Sequence, residues 1–165
     1  LPIRSPTGSR RAAEPPAPGY LSAGDLPDLN VWLALSVDNH VHHERARRYW
    51  REEGARAAAI HFCRLTMLGL LRLLTQPKLM GAATCSPADA VRRYQALRTL
   101  PEVRLASEPT GCEETLLAYV RAPGFVPRLW TDAYLAAFAR GAGLRLVTFD
   151  ADFARFEGLD LLALE

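Results

Sequence analysis

Three carboxylates in this chain are set where they could act together. Asp28 stands in Leu26-Pro27-Asp28-Leu29-Asn30-Val31-Trp32, Asp132 in Leu129-Trp130-Thr131-Asp132-Ala133, and Asp150 in Leu146-Val147-Thr148-Phe149-Asp150-Ala151-Asp152. Asp28 and Asp150 each follow a short apolar segment, and Asp132 falls in the first turn of a helix. Acids so placed are expected along one rim of a sheet. Carboxylates that converge with no Lys or Arg between them repel, which raises their proton affinity. A divalent cation relieves that repulsion, and Mg²⁺ takes one or two carboxylates while keeping several waters. Those waters supply a nucleophile for phosphodiester hydrolysis while the cation screens the transition state. Taken singly, Asp28 reads as an N-cap, Asp132 as favourable charge at a helix start and Asp150 as a turn former.

The elements that must position these acids alternate along the chain. Asp28 leads into a short helix through Val31–Leu35, and a charged amphipathic helix is expected over 42–53, stopped by Gly54. Residues 57–63 read as a buried strand, and 66–74 as a Leu-rich helix ending before Pro77. Ser86-Pro87-Ala88-Asp89 is a helix start with a Ser cap and Pro in the first turn. A strand at 103–106, a helix at 112–120, the helix from Thr131, a strand at 144–149 and a last strand at 159–164 complete the series. Short apolar strands alternating with helices predict an α/β fold around a parallel sheet, with right-handed crossovers and a crevice beyond the carboxyl ends of the strands.

Composition sets the frame. The chain has 165 residues, 49% of them apolar, which suits a single core, and its net charge is +2 from 20 basic and 18 acidic side chains. Brute electrostatics therefore does not announce a nucleic-acid partner, and RNA or DNA would have to meet a local patch. No apolar run is long enough to span a membrane. Cys63, Cys85 and Cys112 form no CxxC pair and read as reduced, buried thiols of a cytoplasmic protein. Residues 1–24, rich in Pro, Gly and Arg, are expected to form a flexible arm, native or added, ahead of one domain over 25–165. His40, His42, His43 and His61 lack the spacing of a zinc site. Neither a Ser-His-Asp order nor a phosphate-cradling Gly-rich loop offers another mechanism. The Leu68, Leu70, Leu71, Leu73 and Leu74 stripe exceeds one helix face, so it reads as core alone or as core with a homodimer surface.

Four segments carry a resemblance. Pro27-Asp28-Leu29-Asn30-Val31-Trp32-Leu33, followed by His40-Val41-His42-His43, resembles the opening of VapC-type toxins of the PIN-domain family. Arg64-Leu65-Thr66-Met67-Leu68-Gly69-Leu70-Leu71-Arg72 is similar to their second motif, Trp130-Thr131-Asp132-Ala133-Tyr134 to the third, and Val147-Thr148-Phe149-Asp150-Ala151-Asp152 to the fourth. The resemblance runs over 25–165 with the motifs in order. It implies a three-layer α/β/α sandwich with a central parallel sheet, and a Mg²⁺- or Mn²⁺-dependent endoribonuclease neutralised by a VapB-type antitoxin.

By position, the resemblance implies that Asp28 and Asp132 are the principal metal ligands. Asp150 would complete the acidic, catalytic cluster directly or through water. Thr148 and Asp152 would be supporting polar residues, and Asn30 would orient the first acid. Apart from the resemblance, Arg64 and Arg72 are the candidates for phosphate contact, since their helix should border the acidic rim. One departure stands out. The family's second motif usually presents Glu three residues after Thr or Ser, and here Gly69 occupies that place. Loss of an anionic ligand weakens a site for a hard cation. A catalytically weakened domain that binds RNA or protein as a regulatory module is therefore the alternative. A phosphorelay receiver, whose acids also cluster after strands, would need a lysine after a late strand, and the sole lysine is Lys78.

Overall fold

In the computed structural model, residues 23–54 and 57–165 are described. Most of the expected arm, residues 1–22, lies outside them. Five strands form one sheet: β1 (Asp25–Pro27), β2 (Ile60–Phe62), β3 (Val103–Leu105), β4 (Arg145–Thr148) and β5 (Leu161–Ala163). Their order is β3-β2-β1-β4-β5, and every pairing is parallel. The chain therefore winds one way from β1 to β3 and the other way through β4 and β5. The order reverses between β1 and β4, and the crevice of a doubly wound sheet opens at such a reversal.

The described residues form seven α-helices: α1 (Leu29–Ser36), α2 (His43–Glu52), α3 (Arg64–Leu74), α4 (Pro77–Met80), α5 (Pro87–Arg98), α6 (Cys112–Arg121) and α7 (Trp130–Ala142). Leu26 and Leu146 pack with α6 and α7, whereas the adjacent Val147 packs with Val31 of α1 and Tyr49 of α2. This alternation of neighbours along β4 reflects the period of two of an extended strand. It makes three layers, with α6 and α7 on one face and α1, α2, α3 and α5 on the other. Small side chains at Ala133, Ala136, Ala137 and Ala139 let α7 lie close against the sheet, and Phe138 fills the remaining space. Across the sheet, Trp32 stacks on Phe62 with ring centroids 3.7 Å apart. No described helix is long and apolar enough to cross a membrane.

The elements follow the sequence with specific differences. The strand expected over 57–63 is confined to Ile60–Phe62, because its ladder with β3 spans only those three residues. Helix α3 starts at Arg64 rather than Thr66: the Thr66 hydroxyl oxygen accepts from the Cys63 backbone N–H at 3.1 Å and so closes the first turn two residues earlier. Ser86 caps α5 as expected, accepting from the Asp89 N–H at 3.1 Å. Of the leucine stripe, Leu70 and Leu74 are core, while Leu68 is 55% exposed.

Candidate active site

The carboxyl ends of β1 and β4 meet beside the N-terminus of α7. Asp28 directly follows β1 and caps α1, its Oδ1 accepting from the Leu29 N–H at 2.5 Å. Thr148, the last residue of β4 and fully buried, donates its hydroxyl to Asp28 Oδ2 at 3.0 Å. Thr148 Oγ1 in turn accepts from Asn30 Nδ2 at 3.1 Å and from the Asp150 N–H at 3.0 Å. One donor and two acceptor sites are all that a hydroxyl has, so Thr148 is saturated and its proton is committed to Asp28. Asn30 thus acts on the first acid through Thr148, and its own Oδ1 accepts from the Phe149 N–H at 3.4 Å.

Asp150 caps a short 3-10 turn, its Oδ1 accepting from the Asp152 N–H at 2.8 Å. Asp132 lies in the first turn of α7. Among the described residues, the Asp132 carboxyl and Asp150 Oδ2 have no hydrogen-bond partner, and no Lys or Arg forms an ion pair with Asp28, Asp132 or Asp150. Burial pushes the Asp28 carboxyl up to about 6, offset in part by its bonds from Leu29 and Thr148 and reinforced by the charges of Asp132 and Asp150. Burial likewise raises Asp132, followed by repulsion from Asp150, while Arg128 and Arg155 oppose the rise. The three acids therefore feel one another. Among the described residues, no three His, Cys, Asp or Glu side chains close into a group that could hold a metal ion by itself. The donor chemistry still suits a hard cation that keeps part of its water shell: hard oxygen ligands, partly unpartnered, with mutual repulsion for a cation to relieve.

Asp152, expected as a supporting polar residue, has its carboxylate engaged by two arginines. Arg128 Nη1 and Nη2 both donate to its Oδ2 at 3.1 Å, and Arg155 Nη2 lies 3.8 Å from its Oδ1. These two arginines were not legible as site residues, since the Arg128 contact spans 24 positions. Arg72 lines a cleft of about 240 Å³ that also includes Asp28, Leu29, Leu65, Leu68 and Gly69. Arg64 is exposed, its guanidinium 3.6 Å from the Met67 sulfur. The histidines are dispersed in role: His43 Nδ1 lies 2.7 Å from the Ala34 carbonyl, and His42 stacks on Phe149 with centroids 4.5 Å apart.

Gly69 explains its own lack of an acid. A Cβ at this position would come within 2.7 Å of Leu29 Cδ2 and 3.1 Å of Leu29 Cδ1. Leu29, the first residue of α1, fills the space through which a side chain at 69 would have to approach the rim. An apolar contact replaces what would have been a charged one.

A parallel sheet in the order above, with carboxyls at its reversal point, defines a PIN-like α/β/α domain. The PIN-domain family model matches residues 26–159, and the chain belongs to that family. Among its members it is similar to VapC-type toxins. It is 41% identical over 140 residues to Ribonuclease VapC41 of Mycobacterium tuberculosis, covering 82% of this chain and 95% of the relative. It is 36% identical over 126 residues to Ribonuclease VapC38 of the same organism, covering 76% and 84%. Two solved structures share the fold. One is VapBC2 from Rickettsia felis bound to a DNA fragment from their promoter, with a TM-score of 0.64, 13% identity, and 85% of this chain and 98% of that chain covered. The other is the sarcin-ricin loop cleaving toxin VapC20 of Mycobacterium tuberculosis, with a TM-score of 0.60, 20% identity, and coverage of 82% and 96%.

Proposed function

We propose that this protein is a Mg²⁺- or Mn²⁺-dependent endoribonuclease toxin, with Asp28, Asp132 and Asp150 as its catalytic and metal-holding acids. The observation that carries this reading is Asp28: a recessed carboxyl raised by burial, with only neutral hydrogen-bond donors and two further acids acting on it. The ribonuclease relatives supply the class of substrate. When bound, a divalent cation supplies charge screening at the phosphate and a water made acidic enough to attack.

The chain's own residues prepare that chemistry. Thr148 fixes the rotamer of Asp28, and the Leu29 N–H holds the other oxygen, so the carboxyl is oriented before any ligand arrives. Asp150 is held through Oδ1 by the Asp152 N–H and keeps Oδ2 available. Asp132 offers both oxygens from the start of α7, where the helix dipole favours negative charge. Two carboxyls with water completing the shell match what Mg²⁺ ordinarily accepts.

Asp28→Asn or Asp132→Asn is expected to slow metal-dependent RNA cleavage about a thousandfold, several kcal/mol of lost stabilisation, with the fold retained. Cleavage by the double variant at the wild-type rate would overturn the assignment. The relatives named VapC, and the VapBC structure that shares the fold, support a VapB-type antitoxin as partner. Growth arrest on expression, relieved by the antitoxin encoded beside it, is the corresponding test in cells. Self-association as a homodimer through the exposed Leu68 side of α3 belongs to the same reading.

The packing of Leu29 over Gly69 favours a second reading, a weakened nuclease acting mainly as a binding module. The two separate cleanly. A module binds RNA or antitoxin while the Asp28→Asn variant behaves as wild type.

A further inference from the structure

Trp130 opens α7 two residues before Asp132 and leaves 50% of its surface in solvent. Exposure of so large an apolar ring is unusual here, since Trp32 is fully buried and holds Trp50 edge-on. The ring neighbour of Trp130 is Phe125, in a T-shaped contact with centroids 5.2 Å apart and planes at 75°. That contact steadies the indole without covering it. Beyond Phe125 lies a cleft of about 260 Å³ lined by Tyr119, Leu129, Arg155 and Phe156 among others.

Two guanidiniums flank this aromatic strip. Arg128 is two residues before Trp130, and Arg155 lines the aromatic cleft; both engage Asp152. Each guanidinium is anchored on one side by this carboxylate. The shared carboxylate holds both planes in place while other N–H groups of each remain available, since a guanidinium carries five. Both also act electrostatically on Asp132. Arg155 thus links the two regions: it acts on Asp132 and lines the cleft that includes Phe125, the ring neighbour of Trp130.

Single-stranded RNA presents the complementary groups: a reacting phosphate, the next phosphate, and an unstacked base. Such strands are bound by cationic groups that track the backbone and by aromatic rings on which bases stack. A single-stranded nucleic acid uses both features at once, its phosphates meeting the guanidiniums and its base the ring. We propose that Trp130, steadied by Phe125, is the stacking platform for a nucleobase of single-stranded RNA next to the cut site, with Arg155 and Arg128 holding the intervening phosphate. The proposal rests on the reading of the carboxyl rim as the place of cleavage.

The test is binding of a short fluorescein-labelled single-stranded oligoribonucleotide to the full chain carrying Asp28→Asn, which leaves the RNA uncut. Adding Trp130→Ala is expected to weaken binding about tenfold, Trp130→Phe to recover most of it, and Trp130→Leu to recover none. RNA should also quench the tryptophan fluorescence, and Trp130→Phe should abolish the quenching. In the cleaving protein, Trp130→Ala should raise KM with kcat largely kept. Full binding by Trp130→Leu overturns the platform, because apolarity alone would then suffice. Unchanged RNA binding with lost antitoxin binding also overturns it and assigns the strip to the protein partner. Metal-dependent cleavage with an inert Trp130 sinks the platform and spares the site. Unimpaired cleavage by Asp28→Asn sinks the site and, with it, the place of the platform next to the cut.

Discussion

Asp25 and Asp28 stand at opposite ends of the same three-residue strand, and the protein treats them oppositely. Asp25 is fully buried at the foot of the sheet. It accepts from Arg145 Nε at 2.9 Å and Nη2 at 3.0 Å, and from the Tyr49 hydroxyl at 2.8 Å. Asp28, at the head, receives only a backbone N–H and a threonine hydroxyl, and the nearest charges acting on it are acids. A buried carboxylate is tolerable when a guanidinium neutralises it and its lone pairs are filled. The foot meets that condition inside the fold. The rim does not meet it among the described residues, and this separates an ion pair that holds the sheet together from an acidic rim with no cation of its own.

The comparison can be broken at either end. Asp25→Asn leaves Arg145 facing a neutral amide in a buried setting, and is expected to cost about 3 to 5 kcal/mol, read by urea unfolding. RNA cleavage per folded molecule should stay near wild type. Equal stability of variant and wild type would erase the distinction between the two ends.

The next effect is in pH. The fold raises Asp28 from 3.8 to about 6, so it favours the protonated form. That contribution is fully present below the unfolded value and is lost as pH rises through the folded one. The difference corresponds to at most about 3 kcal/mol. Unfolding free energy attributable to this group should therefore fall between about pH 4 and about pH 6, and Asp28→Asn should flatten the fall. Added Mn²⁺ should restore stability above that range in the wild type and much less in the variant. An unchanged slope in Asp28→Asn would show that the rim is not strained by its charge.

The smallest expected effect concerns the apolar lock. Gly69→Ala presses on the terminal methyls of Leu29, which are flexible, and should cost about 1 to 3 kcal/mol as overpacking. Adding Leu29→Ala should recover part of that loss, a non-additivity that a double-mutant cycle measures. Full additivity would mean that the two residues do not compete for space.

What could be read from the sequence was local. Asp28, Asp132 and Asp150 were visible because each adjoins an apolar run or opens a helix, and the alternation of elements was enough to predict a parallel sheet with layers on both faces. Strand lengths were not visible, because Ile60–Phe62 is limited by what its neighbours can pair with. Helix α4 was missed, although Pro77 at its first turn is a start signal. The saturation of Thr148 by partners 118 and 120 positions away could not be read, nor could the space that Leu29 takes from Gly69. The pairing of Arg128 and Arg155 through Asp152 belongs to the same class. Each is a contact between segments that only the finished fold brings together.

The bond from Thr148 to Asp28 joins residues 120 positions apart. A ribosome adding about 5 to 20 residues per second needs roughly 6 to 24 s to travel between them. Until the ribosome has passed Asp132, Thr148 and Asp150 in turn, Asp28 lacks the residues that complete its rim. The central strand of the sheet is thus made well before the neighbour that completes its rim. A nascent chain that stops short of Asp150 cannot carry the assembled carboxyl rim, so the proposed activity waits on synthesis through that residue.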